Sequence, residues 1–161
     1  MPKENEIIFG FNDSKRCFTL FTELIVPHSR EKVFPFFASA ENLEHLTPDF
    51  LNFRILSILP IEMNEGTLID YKISLHHIPI KWRTRISSWK PPFMFIDEQI
   101  NGPYLYWLHE HHFEEIDQAC RIIDKVYYRV FGGKIINNLF IKGELNKIFT
   151  YRRKKMTEIF Y

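Results

Sequence analysis

Cysteine is scarce in this chain: Cys17 and Cys120 are the only two in 161 residues, giving neither a disulfide framework nor a metal-type spacing. An excess of charge is also missing. Twenty-one basic residues balance 20 acidic ones to a net +1, so no global field draws the protein to nucleic acid or an anionic surface, and neither is expected as a partner. No apolar run approaches the ~20 residues that cross a bilayer, which argues against integral membrane association. The opening Met1-Pro2-Lys3-Glu4-Asn5-Glu6 is polar and has no signal-peptide core, so a cytoplasmic location is expected. Gly132-Gly133-Lys134 lacks the spacing of a phosphate loop, and Ser87 and Ser88 lack the glycine-flanked elbow of a hydrolase nucleophile. No cofactor is implied. Repeats, linkers and low-complexity tracts are absent, so residues 1–161 read as one domain, with 1–15 as a mobile N-terminal arm.

Aromatic residues, by contrast, are abundant, with 16 Phe, seven Tyr and three Trp. Either the composition is simply Phe-rich, or bulky rings wall a pocket.

The pattern along the chain predicts an α+β order. A strand over Arg16–Val26 ends at Pro27, and Ser29 is placed to cap a short helix from Arg30 to about Ala38, limited by Pro35. A second helical turn, Glu41–Leu46, stops before Pro48. Five strands follow at about Phe53–Leu59, Thr67–His76, Ile80–Trp89, Met94–Asn101 and Tyr104–Glu114, and a seventh at Ala119–Val130. A long C-terminal helix carries Ile135, Leu139, Leu145, Ile148, Arg152, Met156 and Ile159 at helical spacing, with Gly143 weakening its middle. The basic run Arg152–Lys155 reads as a solvated helix end. Short hairpins between successive strands make the sheet antiparallel.

Alternation allows the hairpins to be put in register. Pairing Leu75 with Ile80 sets Ile73 against Trp82, Tyr71 against Thr84 and Ile69 against Ile86 on one face, with Asp70, Lys72, Lys81, Arg83 and Arg85 on the other. Continued across the sheet, Ile86 meets Glu98, Glu98 meets Trp107, and His109 meets Asp124. The inner face then joins Ile69, Tyr71, Ile73, Trp82, Ile96, Trp107, Phe113, Ile122 and Val126 to a polar island of Glu98, His109, His111 and Asp124. A one-residue slip in any hairpin moves a member of the island outside. Buried ionisable groups are costly unless paired, and four readings of the island stay open. It is a satisfied network holding strands in register; the polar anchor of an apolar ligand site; an acid–base centre with His109 as base, Asp124 orienting it and Glu98 as acid; or a metal site built on the strand pair His109 and His111.

Several segments resemble a bacterial ligand-binding branch of the SRPBCC (START-like, polyketide cyclase/dehydrase-related) superfamily. They are Val26–Phe50, Glu65–Tyr71, Trp82–Ile86 with Trp89 and Pro91-Pro92, Asp97–Tyr104 followed by Trp107-x-His109-x-His111-x-Phe113, and Ile148-Phe149-x-Tyr151-Arg152. The resemblance runs from about Phe18 to Arg152. It implies a helix-grip fold: a curved seven-stranded antiparallel sheet, two short helices after the first strand, and a long C-terminal helix closing a cavity. It also implies a small apolar ligand (lipid- or polyketide-like) held by a carrier or binding protein, or turned over by a cyclase or dehydratase. Tyr71, Trp82, Glu98, Trp107, His109, His111, Phe113 and Asp124 are the expected cavity residues, with no metal among the expected ligands. A protein-interaction module using the Phe-rich first helix or the basic C-terminal helix is the third possibility. The chain departs from the resemblance at Arg129-Val130-Phe131, where relatives carry a proline before the last helix.

Overall fold

A computed structural model describes residues 6–161. Eight antiparallel strands form one curved sheet: β1 (Ile8–Asn12), β2 (Cys17–Val26), β3 (Arg54–Ile55), β4 (Leu68–Leu75), β5 (Ile78–Lys90), β6 (Met94–Asn101), β7 (Tyr106–Ile116) and β8 (Ala119–Arg129). The spatial order is β1-β2-β8-β7-β6-β5-β4-β3, so β2, next after β1, pairs with the last strand. Helix α1 (Arg30–Phe37) and 3₁₀ turns at Ala40–Leu43 and Asp49–Leu51 fill the long connection from β2 to β3. After β8 the chain winds through α2 (Gly133–Ile136) and a π-helical turn at Asn137–Ile141 into α3 (Lys142–Phe160), which lies across the concave face. This is a helix-grip fold.

The strand count exceeds the expected seven because part of the supposed arm is β1, paired to β2 from Ile8↔Phe21 to Asn12↔Cys17. Phe9 packs into the apolar cluster around Trp107 and Tyr128, and Phe11 meets Phe18 edge-on at 5.4 Å. That burial is what a mobile arm would forgo. Residues 1–5 lie outside the described residues. The strand expected at Phe53–Leu59 shrinks to two residues. Ser29 does occupy the cap position of α1, yet its side chain makes no capping bond. The Arg30 N–H donates instead to Glu115 Oε2 at 2.9 Å, tying α1 to the end of β7.

Two hairpins turn more tightly than expected. His76 and His77 have φ of 48° and 69° and form a two-residue loop, so Leu75 pairs with Ile78 and Tyr71 with Trp82. Asp117, at φ 54°, lies in the tight loop joining Ile116 to Ala119, and His111 pairs with Asp124. Each change moves the register by two residues, which leaves every side chain on its expected face. Left-handed conformations at two successive non-glycine residues are strained. Replacing His76-His77 by Asn-Gly should therefore stabilise the fold by about 0.5–1 kcal/mol, read as a higher urea midpoint at unchanged slope. No gain, or a loss, would mean that the two histidines make compensating contacts.

The third change reverses a face. From the proline turn inward, Lys90↔Met94, Trp89↔Phe95 and Ser88↔Ile96 pair in step, but Ser87 is an extra residue in β5, so that Ile86 meets Asp97 rather than Glu98. A bulge of this kind shifts the following pairs by one, until Ile100, an extra residue in β6, restores the register at Arg83↔Asn101. Phe95 and Asp97 consequently face inward with Trp89 and Ile86, while Ile96, Glu98 and Ile100 face outward.

Candidate functional site

The concave face and α3 enclose a cavity of about 180 Å³, far above the ~10–15 Å³ that one buried water requires. Tyr71, Ile73, Trp82, Ile86 and Trp107 wall it from the sheet, Phe36 and Phe37 from α1, and Leu145, Phe149 and Arg152 from α3. Trp82 stands edge-on to Trp107 at 5.5 Å and stacks on Tyr71 at 5.7 Å. Thr84, buried between them, receives the Trp82 indole N–H at 3.1 Å and lies 3.3 Å from the Tyr71 hydroxyl.

One side of the cavity is polar. His109, His111 and Asp97 line it, and Asp124 lies behind the two imidazoles, 2% exposed. Neighbouring strands β6, β7 and β8 supply these groups through the pairs Asp97↔His109 and His111↔Asp124. His109 Nε2 is 2.8 Å from Asp124 Oδ1, and His111 Nε2 is 2.7 Å from Asp97 Oδ2. His111 Nδ1 approaches Asp124 Oδ1 to 3.1 Å, but it is not aligned for a hydrogen bond. His109 Nδ1 is 3.8 Å from Asp97 Oδ2, beyond bonding distance. The two rings are 3.7 Å apart, and His111 stacks on Phe95 at 4.1 Å. Arg152, from α3, brings its Nε to 3.6 Å from Asp124 Oδ2.

This packing separates the two histidines electrostatically. Burial lowers the His109 pKa, the charge on His111 lowers it further, and the bond to Asp124 does not restore it. Burial also acts against a charged His111, but its contacts with Asp124 and Asp97 outweigh that and raise its pKa. For Asp124, burial favours the neutral acid; Arg152 and the two imidazoles overcome this and hold the carboxyl well below the usual range. Asp97 is also lowered: burial opposes the shift, but the His111 hydrogen bond and the nearby positive charges prevail.

The histidines thus make opposite contributions to stability. His111, raised, contributes fully below the unfolded value of ~6.5 and loses its contribution as pH climbs through its folded pKa. His109, lowered, contributes above ~6.5 and loses its contribution as pH falls through its folded pKa. The unfolding free energy contributed by this pair should peak near pH ~6.5, and His111→Asn should remove the decline on the alkaline side. Urea titrations between about pH 5 and 8.5 measure this, and a wild-type alkaline limb that His111→Asn leaves in place would contradict the assignment. The carboxylates, lowered below their unfolded values, add a loss only in stronger acid.

Of the residues expected in the cavity, Tyr71, Trp82, Trp107, His109 and His111 line it. Asp124 supports the histidines from behind. Phe113 is buried to 1% beneath α1, against Phe34 and Phe37, and is not a wall. Glu98 belongs to the opposite face, where Arg85 Nε donates to its Oε1 at 2.8 Å. It cannot act as the acid of a catalytic centre in this cavity, because the Ser87 bulge gives its place to Asp97. Two arginines expected in solvent are also buried: Arg152 and Arg153 are each 8% exposed. Their signal lay in the helical spacing, since Arg152 falls between the buried Phe149 and Met156.

Asp97, His109 and His111 each present a potential metal-ligand atom, all within 4.8 Å of one another. As folded, His111 Nε2 and His109 Nε2 are already directed at carboxylates. A metal would have to break that network.

No family model and no curated protein sequence matches the chain. Solved structures do. A protein from Arthrobacter aurescens superposes with a TM-score of 0.70 at 9% identity, covering 94% of this chain and 91% of its own. The nucleoside-diphosphate sugar epimerase from Corynebacterium glutamicum matches over 86% of this chain but 28% of its own, with a TM-score of 0.63 at 22% identity. Ara h 8.0201 matches with a TM-score of 0.57 at 14% identity, covering 86% of this chain and 97% of its own. No helix among the described residues is long and apolar enough to cross a membrane. At these identities the likeness concerns architecture, and what this chain shares with those proteins is the helix-grip fold.

Proposed function

We propose that this protein binds a small, largely apolar molecule between its sheet and α3, as a carrier or binding protein of the SRPBCC type. The observation that carries this reading is the cavity itself: about 180 Å³ left open among aromatic and aliphatic side chains, with the polar groups gathered on one side. A core serving stability alone would close such a space, because unfilled volume forfeits packing. Ligand sites, conversely, are mostly apolar with a few placed polar groups.

The neutral fluorophore N-phenyl-1-naphthylamine tests the reading. It should bind one to one with a dissociation constant on the order of 10 μM, quenching Trp82 and Trp107 as its own emission rises. Leu43→Trp, adding a ring to the partly exposed cavity wall, should weaken binding at least about tenfold without unfolding the protein, an effect of ~1.4 kcal/mol. Failure of the folded wild type to bind the probe saturably would overturn the reading.

A further inference from the structure

We infer that the ligand carries a carboxylate and that Arg152 receives it. The inference rests on the binding reading above and deepens it by naming the chemical class of the ligand. Arg152 is 8% exposed and lines the cavity, yet among the described residues its guanidinium makes no hydrogen bond. Its nearest anion, Asp124 Oδ2, is 3.6 Å from Nε, too far for one. A guanidinium offers five N–H donors in a planar fork. Of these, Nε is fully buried without a hydrogen-bond partner, and leaving a buried donor unmatched is costly unless something else occupies the fork.

The adjacent Arg153 shows what satisfaction looks like in this fold. Its Nη1 donates to Thr22 Oγ1 at 2.5 Å and to the Glu23 carbonyl at 2.8 Å, fastening α3 to β2. Arg152, one residue earlier, points to the cavity and lies over the Phe37 ring at 5.7 Å. The anions of the polar cluster are differently placed. Asp124 Oδ1 is engaged by His109 and approached by His111, and Asp97 Oδ2 is engaged by His111. The charge left without a hydrogen-bonded partner is therefore positive.

The geometry also limits the anion. One arginine beside two carboxylates favours a monoanion over a phosphate dianion, since like charges at this range repel. A planar carboxylate fits the fork with two parallel bonds. The body of the ligand would lie along Trp82, Trp107 and Phe149, which fits a compact hydrophobic carboxylic acid.

The test compares 2-naphthoate with its neutral isostere 2-naphthamide, both displacing N-phenyl-1-naphthylamine at pH 7. Wild type should bind the acid at least about tenfold tighter, a difference of ~1.4 kcal/mol. Arg152→Met should erase the preference, bringing the acid-to-amide affinity ratio to within about threefold of one, a difference below ~0.7 kcal/mol. Equal affinities in wild type would overturn the inference without needing the variant, and so would a preference surviving in Arg152→Met. If the probe and the amide bind but the acid gains nothing, only the carboxylate is wrong. If the probe itself does not bind, the binding reading fails first.

Discussion

Replacing Asp124 with alanine should cost about 3–5 kcal/mol of folding stability. The substitution removes the oxygen that His109 Nε2 contacts at 2.8 Å and His111 Nδ1 at 3.1 Å, together with the anion facing Arg152. Two imidazoles and a guanidinium would then share a buried site with Asp97 as their one carboxylate among the described residues. Breaking a buried pair from one side is expensive because the remaining charge cannot return to water. A domain of this size has roughly 5–15 kcal/mol in all, so the variant should melt on the order of 10 °C lower. Asp124→Asn, which keeps one acceptor oxygen, should fall between alanine and wild type. Glu98→Ala is the control. Its partner Arg85 has half of its side-chain surface exposed, so losing that pair should cost no more than about 1 kcal/mol. Comparable losses at Asp124 and Glu98, measured by chemical denaturation, would mean that the two residues are not on opposite faces.

That control turns on a bulge, and the bulge marks how far the sequence could be read. Period-two alternation assigns faces correctly wherever an error in the turn is an even number of residues. Tyr71 and Trp82 keep their inward places although the β4–β5 hairpin turns more tightly than expected, whereas His109, His111 and Asp124 keep theirs because Glu98 meets Leu108 rather than Trp107, a second one-residue shift that cancels the one at Ser87. An odd error has no such protection. In β5 the inward residues Trp82, Thr84 and Ile86 are even-numbered, whereas Trp89, which packs on Phe34 and Phe95, is odd-numbered. Both sets can face the core only if the strand gains a residue between them. A conflict of parity between two tryptophans in one strand was thus a legible sign of the bulge. Extending a uniform alternation through Ser87 moved Glu98 into a site that Asp97 occupies.

The arginines illustrate a different limit. A basic run near a chain end suits a solvated helix terminus, and Lys154 and Lys155 meet that description with ion pairs to Glu158. Composition cannot distinguish those lysines from Arg152 and Arg153, but helical phase can. Arg152 lies on the stripe of Leu145, Phe149 and Met156, all buried. What phase cannot supply is the reason to bury a cation, which lies in Asp124 on a strand far away in sequence. Long-range electrostatic pairing of this kind is visible only once β8 and α3 have been brought together.

Phe113 was expected to touch a ligand, and its position beneath α1 leads instead to a stability effect. Phe113→Ala should destabilise the protein by about 3–5 kcal/mol, because the ring is 1% exposed and lies 5.2 Å from Phe34 and 5.1 Å from Phe37 between ring centroids. Phe95 stacks on its other side at 6.2 Å. Removing the ring opens a void at the junction of α1, β6 and β7, where three aromatic neighbours cannot all close in without leaving their rotamers. The effect on binding should be indirect. Phe36 and Phe37 of α1 line the cavity and Phe113 does not, so probe affinity should fall only as far as α1 loosens. Phe113→Leu restores most of the volume and should recover most of the stability, and affinity should recover with it. If Phe113→Leu regains stability while probe affinity stays at the Phe113→Ala level, the ring contacts the ligand directly and the cavity extends deeper beneath α1 than its lining residues indicate.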